Sequence, residues 1–370
     1  MPHDRPFLAF AHIGDLHIAD KDPAHIETFR AAAQQVEAVR QHLAFAFLPG
    51  DIADNGKPEQ YDQVRAVLDG LSLPVHVITG DHDMEGGSLD AFYAELGARR
   101  LPYRIEAGGI RCLFLDICGP GSGGPDFRLA DQVDWLAAEL KAAEAEGRLC
   151  AVFMHSYPAD LQGDGEAERV AALIHEGPVR LVEMGHTHYN ELSNDGRTIY
   201  AAARSTGQIE EGPAGYAIAT IDDGVVSWRF KEIERPWPFV LITSPADRRL
   251  AHEADQVVTA AAPMRALVLG LGDGGSCEFA VDDGPWQPMR PAEGALWEAS
   301  LPFAPGRRSL RVRATAANGT EDVDAIEPAS DRSDIPQSKG IGTDRDAIGA
   351  WERKGVLGTQ LGPNRNGKKW

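Results

Sequence analysis

The sequence predicts an α/β protein with a largely parallel sheet, followed by a smaller all-β unit. Three observations carry this expectation. Short apolar runs alternate with amphipathic helical stretches through the first part of the chain, the pattern of a layered α/β domain. Five of those runs stop abruptly and place an acid or a histidine at the mouth of the strand, as Phe47-Leu48-Pro49-Gly50-Asp51 does. From Phe239 to Ile326 every segment reads as a strand and none as a helix.

Taken in order, Phe7 to Ile13 is unbroken in its apolarity, as a strand buried on both faces must be. Asp22 caps a helix with Pro23 at its first position and Ile26, Phe29, Ala33 and Val36 along its inner face. Leu43 to Leu48 is the next strand, Pro58 to Leu71 a helix with Tyr61, Val64 and Leu68 inward, Val75 to Ile78 a strand and Ser88 to Leu96 a helix. Ile110 to Ile117, Leu149 to Met154 and Val179 to Met184 are further strands, with a helix over Leu129 to Ala145. Beyond Thr198 come short strands separated by glycines, at Ile199 to Ala203, Tyr216 to Ile221 and Val225 to Lys231. Pro236 and Pro238 then stop regular structure, which sets a first domain at residues 1–235. In residues 236–327, Asp282-Asp283-Gly284 and Asn318-Gly319 turn two hairpins of a β-sandwich of roughly immunoglobulin type. Residues 328–370, rich in Gly, Pro, Asn and charge and ending in Lys368, Lys369 and Trp370, form a tail that is either loosely ordered or packed near the mouth of the site.

At 370 residues the chain exceeds the size at which one hydrophobic core keeps growing, so two domains are expected. Against 56 Asp and Glu stand 36 Lys and Arg, and the formal net charge of -20 repels phosphate backbones and anionic lipid. Nucleic acid and membrane are therefore not expected partners. Met1 to Phe10 lacks a basic segment followed by a long apolar one, and no stretch approaches the roughly 20 apolar residues of a membrane span. A cytoplasmic protein is expected. Cys112, Cys118, Cys150 and Cys277 form no CxxC pattern, so no disulfide framework is expected either.

The residues after the strand ends define the chemistry. Runs ending at Gly14, Gly50, Gly80, Met154 and Gly185 are followed by Asp15 and His17, Asp51, Asp81 and His82, His155, and His186 and His188. In an open α/β sheet the carboxyl ends of strands share one crevice, and converging carboxylates and imidazoles make a metal site. A mixed nitrogen and oxygen set suits Mn, Fe, Co or Zn rather than Ca or Mg. One histidine at a strand end is more often a hydrogen-bonded structural group than a ligand. Seven donors with one placement reverse that judgement. His12, His76 and His175 match no motif and read as packed groups. The run Gly119-Pro120-Gly121-Ser122-Gly123-Gly124 lacks the Lys-Ser/Thr ending of a P-loop and reads as a loop at the rim.

The series Asp15-Leu16-His17, Gly50-Asp51-Ile52-Ala53-Asp54, Gly80-Asp81-His82-Asp83, His155 and Gly185-His186-Thr187-His188 resembles the calcineurin-like metallophosphoesterase family in order and placement. The resemblance covers about Phe7 to Ile233 and is strongest to the branch of cyclic-nucleotide and glycerophosphodiester phosphodiesterases. It implies a four-layer α/β/β/α sandwich in which Asp15, His17 and His188 hold one metal ion, Asp81, His155 and His186 hold the other, and Asp51 bridges them. Two divalent transition ions, or a mixed Fe(III)/M(II) pair, are implied, with attack on phosphorus by a bridging hydroxide. His82 would touch the phosphoryl oxygen or the leaving group, Asp83 would orient it, and Asp54 would stand behind the ligands. The family usually has Asn where this chain has Asp81. Tyr157, Tyr189, Asn190 and Arg204 follow or adjoin ligand strands and are the candidates for lining a substrate pocket.

The expected function is hydrolysis of a small phosphodiester. A phosphomonoesterase or nucleotide pyrophosphatase is the alternative of the same class, and acidic charge argues against a nuclease. A non-catalytic binding module is the alternative of another class. Its mark would be lost ligands, and here the ligand types are intact apart from Asp81. The β-sandwich is open as a wall of the substrate site, a homo-oligomer interface or a carbohydrate-binding unit.

Overall fold

The computed structural model describes residues 5–20, 23–118, 126–253, 256–258, 262–301 and 308–359. In it β1 (Phe7–His12), β2 (Ala46–Leu48) and β3 (Val75–Val77) run parallel, and α1 (Pro23–Ala38) and α2 (Pro58–Leu68) cross between them. After α3 (Asp90–Leu96), a second sheet is built from β4 (Tyr103–Ala107), β5 (Ile110–Phe114), β6 (Cys150–Phe153), β7 (Val179–Met184), β8 (Glu191–Asn194) and β9 (Ile199–Ala202). Its order is β4-β5-β6-β7-β9-β8, parallel except at the two edges, with α4 (Gln132–Ala145) and α5 (Glu166–Glu176) as crossovers. The chain then returns as β10 (Gly215–Asp222) and β11 (Val225–Glu232), which extend the first sheet antiparallel to β1 in the order β11-β10-β1-β2-β3.

The two sheets face each other. Phe10, Phe45 and Phe47 of the first meet Phe114 and Phe153 of the second, with ring centroids 4.7 Å apart for Phe47 and Phe153 and 5.4 Å for Phe10 and Phe153. Ile26, Phe29, Ala33 and Val36 of α1 and Tyr61 and Val64 of α2 cover the outer face of the first sheet. Val133, Leu136 and Leu140 of α4 and Val170 and Ile174 of α5 cover that of the second. Helices on both outsides explain why the strands read as continuously apolar, because neither sheet has a solvent face. The result is four layers, helix, sheet, sheet, helix.

Several expectations are refined. The second strand begins at Ala46 rather than Leu43, since Arg40–His42 form a 3-10 turn that uses up the approach. β4, α5 and β8 were not expected from the sequence. β4 is an exposed edge strand with alternating burial, and Pro158, Gly163 and Gly165 interrupt the run that leads into α5. Asp22 and the Gly119–Gly124 run lie outside the described residues. All four cysteines are buried and free. No described helix is long and apolar enough to cross a membrane.

Residues 239–326 add β12 (Phe239–Ser244), β13 (Ala262–Leu269), β14 (Ser276–Val281), β15 (Gln287–Pro288), β16 (Arg290–Pro291), β17 (Leu296–Leu301), β18 (Leu310–Thr315) and β19 (Glu321–Ile326). They form two antiparallel four-stranded sheets, β12-β13-β17-β16 and β15-β14-β18-β19. Their buried side chains, among them Ile242, Met264, Phe279 and Val312, join the cluster between the two α/β sheets, while Phe239, Leu241, Leu267 and Leu269 join the cluster under α1 and α2. Beyond Pro328 the described part of the tail is packed rather than loose. The Ile348 amide donates to the Leu192 carbonyl at 2.9 Å, the Ala159 amide donates to the Gly342 carbonyl at 3.0 Å, and Trp351 and Val356 are buried. Residues 360–370 lie outside the described residues.

Candidate metal centre

The segments that follow β1, β2, β3, β6 and β7 meet at one rim of the two-sheet core. There the ligand atoms of Asp15, His17, Asp51 and His188 lie within 4.8 Å of one another, and so do those of Asp51, Asp81, His155 and His186. Asp51 belongs to both groups. All seven residues named for metal binding from the sequence are thus brought together.

Local backbone explains how single residues after strands can point into one space. His17, Asp51, His186 and His188 all have positive φ, at 43°, 49°, 63° and 61°. For residues other than glycine this left-handed conformation costs roughly 1–2 kcal/mol each, and it persists only where the surroundings impose it. Here hydrogen bonds impose it. The amides of Leu16 and His17 donate to the Asp51 carbonyl at 3.1 and 2.8 Å, the His186 amide donates to Asp15 Oδ2 at 2.7 Å, and the His82 amide donates to Asp51 Oδ1 at 2.9 Å. Gly80 and Gly185 have no alternative, since a Cβ at either would collide with the carboxylate of Asp51 or Asp15.

The donor set fits divalent transition ions. Asp15 Oδ1, Asp81 Oδ1 and His155 Nε2 are buried and have no hydrogen-bond partner. Leaving such groups unsatisfied costs about 1–3 kcal/mol each, and a cation among them removes that cost. His155 donates its Nδ1 proton to the Pro49 carbonyl at 2.7 Å and aims Nε2 between two carboxylates, 3.3 Å from Asp81 Oδ1 and 3.4 Å from Asp51 Oδ2. Burial lowers the pKa of the ring, but these carboxylates outweigh burial and raise it well above the ordinary value, so a cation held there would displace the Nε2 proton. His17 Nε2 and His188 Nε2 are 2.9 Å apart, and burial holds His17 well below its ordinary pKa and His188 at about 4, in the neutral form that ligates metals. Burial and Asp81 push Asp51 upward, but His155 and His17 outweigh them and hold it at about 2.

His82 stands at the margin, with 29% of its side chain exposed and its ring edge-to-face with His17 at 4.7 Å. Its Nδ1 lies 2.8 Å from the Asp54 carbonyl and 3.3 Å from Glu85 Oε1. Asp83 does not orient it, which corrects the sequence expectation. That carboxylate is fully buried and accepts from the amides of Ile52, Ala53 and Gly80 and from the Tyr61 hydroxyl, at 3.3, 3.1, 3.0 and 3.0 Å. It welds the Asp51 loop to the Asp81 loop. Asp54 contributes its carbonyl to His82, and its carboxylate accepts from Gln208 Nε2 at 3.1 Å.

The pocket-lining expectation is also corrected for two residues, Asn190 and Arg204, whereas Tyr157 lines a small cleft together with His186. Tyr157 is 2% exposed and its hydroxyl bonds Ser193 Oγ at 2.8 Å. Asn190 and Arg204 are buried and spend their polar groups on the protein itself, as when Asn190 Oδ1 accepts from the Arg204 amide at 2.7 Å. Tyr189 is 6% exposed. Glu85, Tyr61 and the run Ser205-Thr206-Gly207-Gln208 also surround the centre, and none of them was among the expected site residues. That run follows β9, so the strand-end rule would have found it. Ser205 Oγ and the Thr206 amide both donate to the Asp15 carbonyl, at 2.8 and 3.0 Å.

A layered α/β fold with a buried Asp/His cluster at its strand ends has the donors to hold a metal centre. The chain matches the model of the family described as calcineurin-like phosphoesterase over residues 8–190. It is a metal-dependent phosphoesterase. The glycerophosphodiester phosphodiesterase GpdQ of Enterobacter lignolyticus is 29% identical over 204 residues, covering 49% of this chain and 71% of that protein. A cAMP/cGMP dual specificity phosphodiesterase of Mycobacterium tuberculosis is 27% identical over 205 residues, covering 51% of this chain and 64% of that protein. Among solved structures, a dimetal phosphatase from Danio rerio aligns with a TM-score of 0.48 and 17% identity over 62% of this chain and 97% of its own.

Proposed function

We propose that the protein hydrolyses a small phosphodiester at a dinuclear metal centre. The observation that carries this reading is the pair of four-donor groups that overlap at Asp51. Asp15, His17 and His188 would hold one ion and Asp81, His155 and His186 the other, with Asp51 shared. Bound ions of this kind acidify a water molecule and offset charge on phosphoryl oxygens in the transition state. The protein's own groups do the rest. The Pro49 carbonyl fixes the His155 tautomer, and His82, held by the Asp54 carbonyl, is exposed enough to reach a leaving oxygen and give it a proton.

Two things support a diester over a monoester. The relatives above are named as diesterases of glycerophosphodiesters and cyclic nucleotides. In addition, among the described residues every ion pair of Asp15, Asp51 and Asp81 is with a histidine, so no fixed Lys or Arg there pairs the second charge of a monoester. Metal-free protein reloaded in turn with Mn, Fe, Co or Zn should therefore cleave bis(p-nitrophenyl) phosphate with a kcat/KM at least about tenfold above that for p-nitrophenyl phosphate, a difference of about 1.4 kcal/mol. Preference for the monoester under saturating metal would favour the phosphomonoesterase reading instead.

Charge gives a further expectation. Asp15, Asp51 and Asp81 cancel three of the four positive charges of two divalent ions, and Asp81→Asn restores one. At full metal loading the variant should be inhibited by inorganic phosphate about tenfold more tightly. Equal inhibition constants for both forms, with only divalent ions bound, would reject the charge account of Asp81.

A further inference from the structure

The turn formed by Trp351 to Val356 lies far along the chain from every residue of the centre, yet two hydrogen bonds run from it into the fold beside the ligands. The Gly355 carbonyl accepts from Asn190 Nδ2 and from an Arg204 guanidinium nitrogen, both at 2.8 Å. Asn190 and Arg204 are 0% and 1% exposed, so these donors have no water to fall back on. Asn190 follows His188 by two residues, and its side-chain oxygen in turn accepts from the Arg204 amide. Arg204 opens the run whose next two residues stitch the ligand backbones together. The Ser205 amide donates to the His188 carbonyl at 3.4 Å, and Ser205 Oγ and the Thr206 amide donate to the Asp15 carbonyl. One acceptor on the turn therefore holds both segments that present Asp15 and His188.

The turn is itself anchored from the other side. Lys354 Nζ is buried and pairs with buried Asp324 Oδ2 of β19 at 2.7 Å, and the same Asp324 oxygen accepts from the Ile242 amide of β12 at 2.8 Å. Trp351 closes the turn by donating its amide to the Val356 carbonyl at 2.7 Å, and Arg249 stacks on its ring at 3.7 Å. Just beyond, Thr359 Oγ1 bonds Glu211, whose other carboxylate oxygen accepts from the Asn190 amide at 3.0 Å. Among the described residues, the hydrogen bonds of Trp351 to Val356 to other parts of the chain reach Asn190, Arg204, Arg229 and Asp324, none of which is hydrogen-bonded to Asp81, His155 or His186.

We propose that this turn, held by the β-strand unit, is a positioning element for one half of the metal centre: through Asn190 and Arg204 it sets the affinity of the Asp15, His17 and His188 half-site and leaves the Asp81, His155 and His186 half-site untouched. The inference rests on the dinuclear reading above. It gives the C-terminal strands and the described tail a role in the chemistry, as the support against which a ligand loop is braced. Groups that stand behind metal ligands and fix their orientation change affinity by about 10- to 100-fold when removed.

Gly355 supplies the test. Its φ is +83°, and a Cβ there would stand 2.6 Å from the Phe230 Cβ, so Gly355→Ala must shift the turn without altering any polar group. Thr359→Val is the gentler second variant, since it removes only the hydroxyl that braces Glu211. Metal-free full-length protein is titrated calorimetrically with Mn(II), ion content is checked by elemental analysis, and the unfolding midpoint of the metal-free form is recorded. Wild type should take up two ions, and His188→Ala identifies which step belongs to its half-site. In Gly355→Ala that step should weaken at least about tenfold while the other keeps its affinity, and Thr359→Val should move the same step by less. Unchanged affinities in folded Gly355→Ala overturn the proposal. So does an equal loss at both steps with a lowered midpoint, which marks a general structural role. Wild type that takes up fewer than two ions refutes the dinuclear reading, and the proposal with it.

Discussion

Asp51→Ala is expected to empty both halves of the centre and to lower kcat/KM by at least about 10³-fold. Asp51 is the one residue whose carboxylate lies in both donor groups, so its loss reduces each from four donors to three. Its Oδ1 also accepts from the His82 amide, which ties the third motif to the second. Its carbonyl, which holds the Leu16 and His17 amides, is backbone and survives the substitution. The loop should therefore keep its course while the centre loses its ions. Asp51→Asn separates the two parts of the effect, because it retains an acceptor for the His82 amide and removes only the charge. Elemental analysis and metal titration of Asp51→Ala, Asp51→Asn and His188→Ala decide the matter. Both ions should be lost or weakened in the Asp51 variants and mainly one in His188→Ala. Equal metal loss in Asp51→Ala and His188→Ala would end the shared role.

Much of the centre was legible in the sequence because its information is local. A strand that stops at Gly-Asp or Gly-His needs only a few consecutive residues to be recognised, and the structure supplies the reason for the glycine: at Gly80 and Gly185 a carboxylate occupies the space a Cβ would take. What was not legible depends on partners far away in the chain. Asp83 reads as a companion of His82 by adjacency, yet its carboxylate turns the other way, to the Ile52 and Ala53 amides some 30 residues earlier. Arg204 reads as a pocket-lining residue because it lies near a ligand strand. Its guanidinium instead spends its donors on the carbonyls of Glu211 and Gly355 and stacks over Phe230 at 4.3 Å. His12 shows the same limit: it read as a packed group, and it bonds Glu183 across the two sheets at 2.5 Å with neither residue exposed. The tail composition of Gly, Pro and charge predicts disorder and order about equally, and partners far away in the chain, such as Asp324 for Lys354 and Leu192 for Ile348, show which applies to the described part.

His82→Ala is expected to lower turnover by about 10² to 10⁴-fold while leaving the metal content unchanged. Geometry allows a competing reading, since His17, Asp54 and His82 also form a group of potential ligands. Against that reading, the residue is more exposed than any of the seven donors, as suits a group that meets substrate rather than an ion. Burial lowers the pKa of the ring, but Asp51, the Asp54 carbonyl, Asp81 and Glu85 together raise it to about 9. Bound cations offset the contributions of Asp51 and Asp81, so in the loaded enzyme the value should fall below 9, with the Asp54 carbonyl and Glu85 still favouring the charged ring. An acid that must be protonated to act loses activity as pH rises through its pKa. Wild type should accordingly show an alkaline limb in kcat between neutrality and about pH 9, and His82→Ala should lack it. Glu85→Gln should move that limb to lower pH, because it removes a charge that favours the protonated ring. Elemental analysis showing one ion lost from His82→Ala would place the ring among the ligands, and an alkaline limb that persists in that variant would assign the proton to another group.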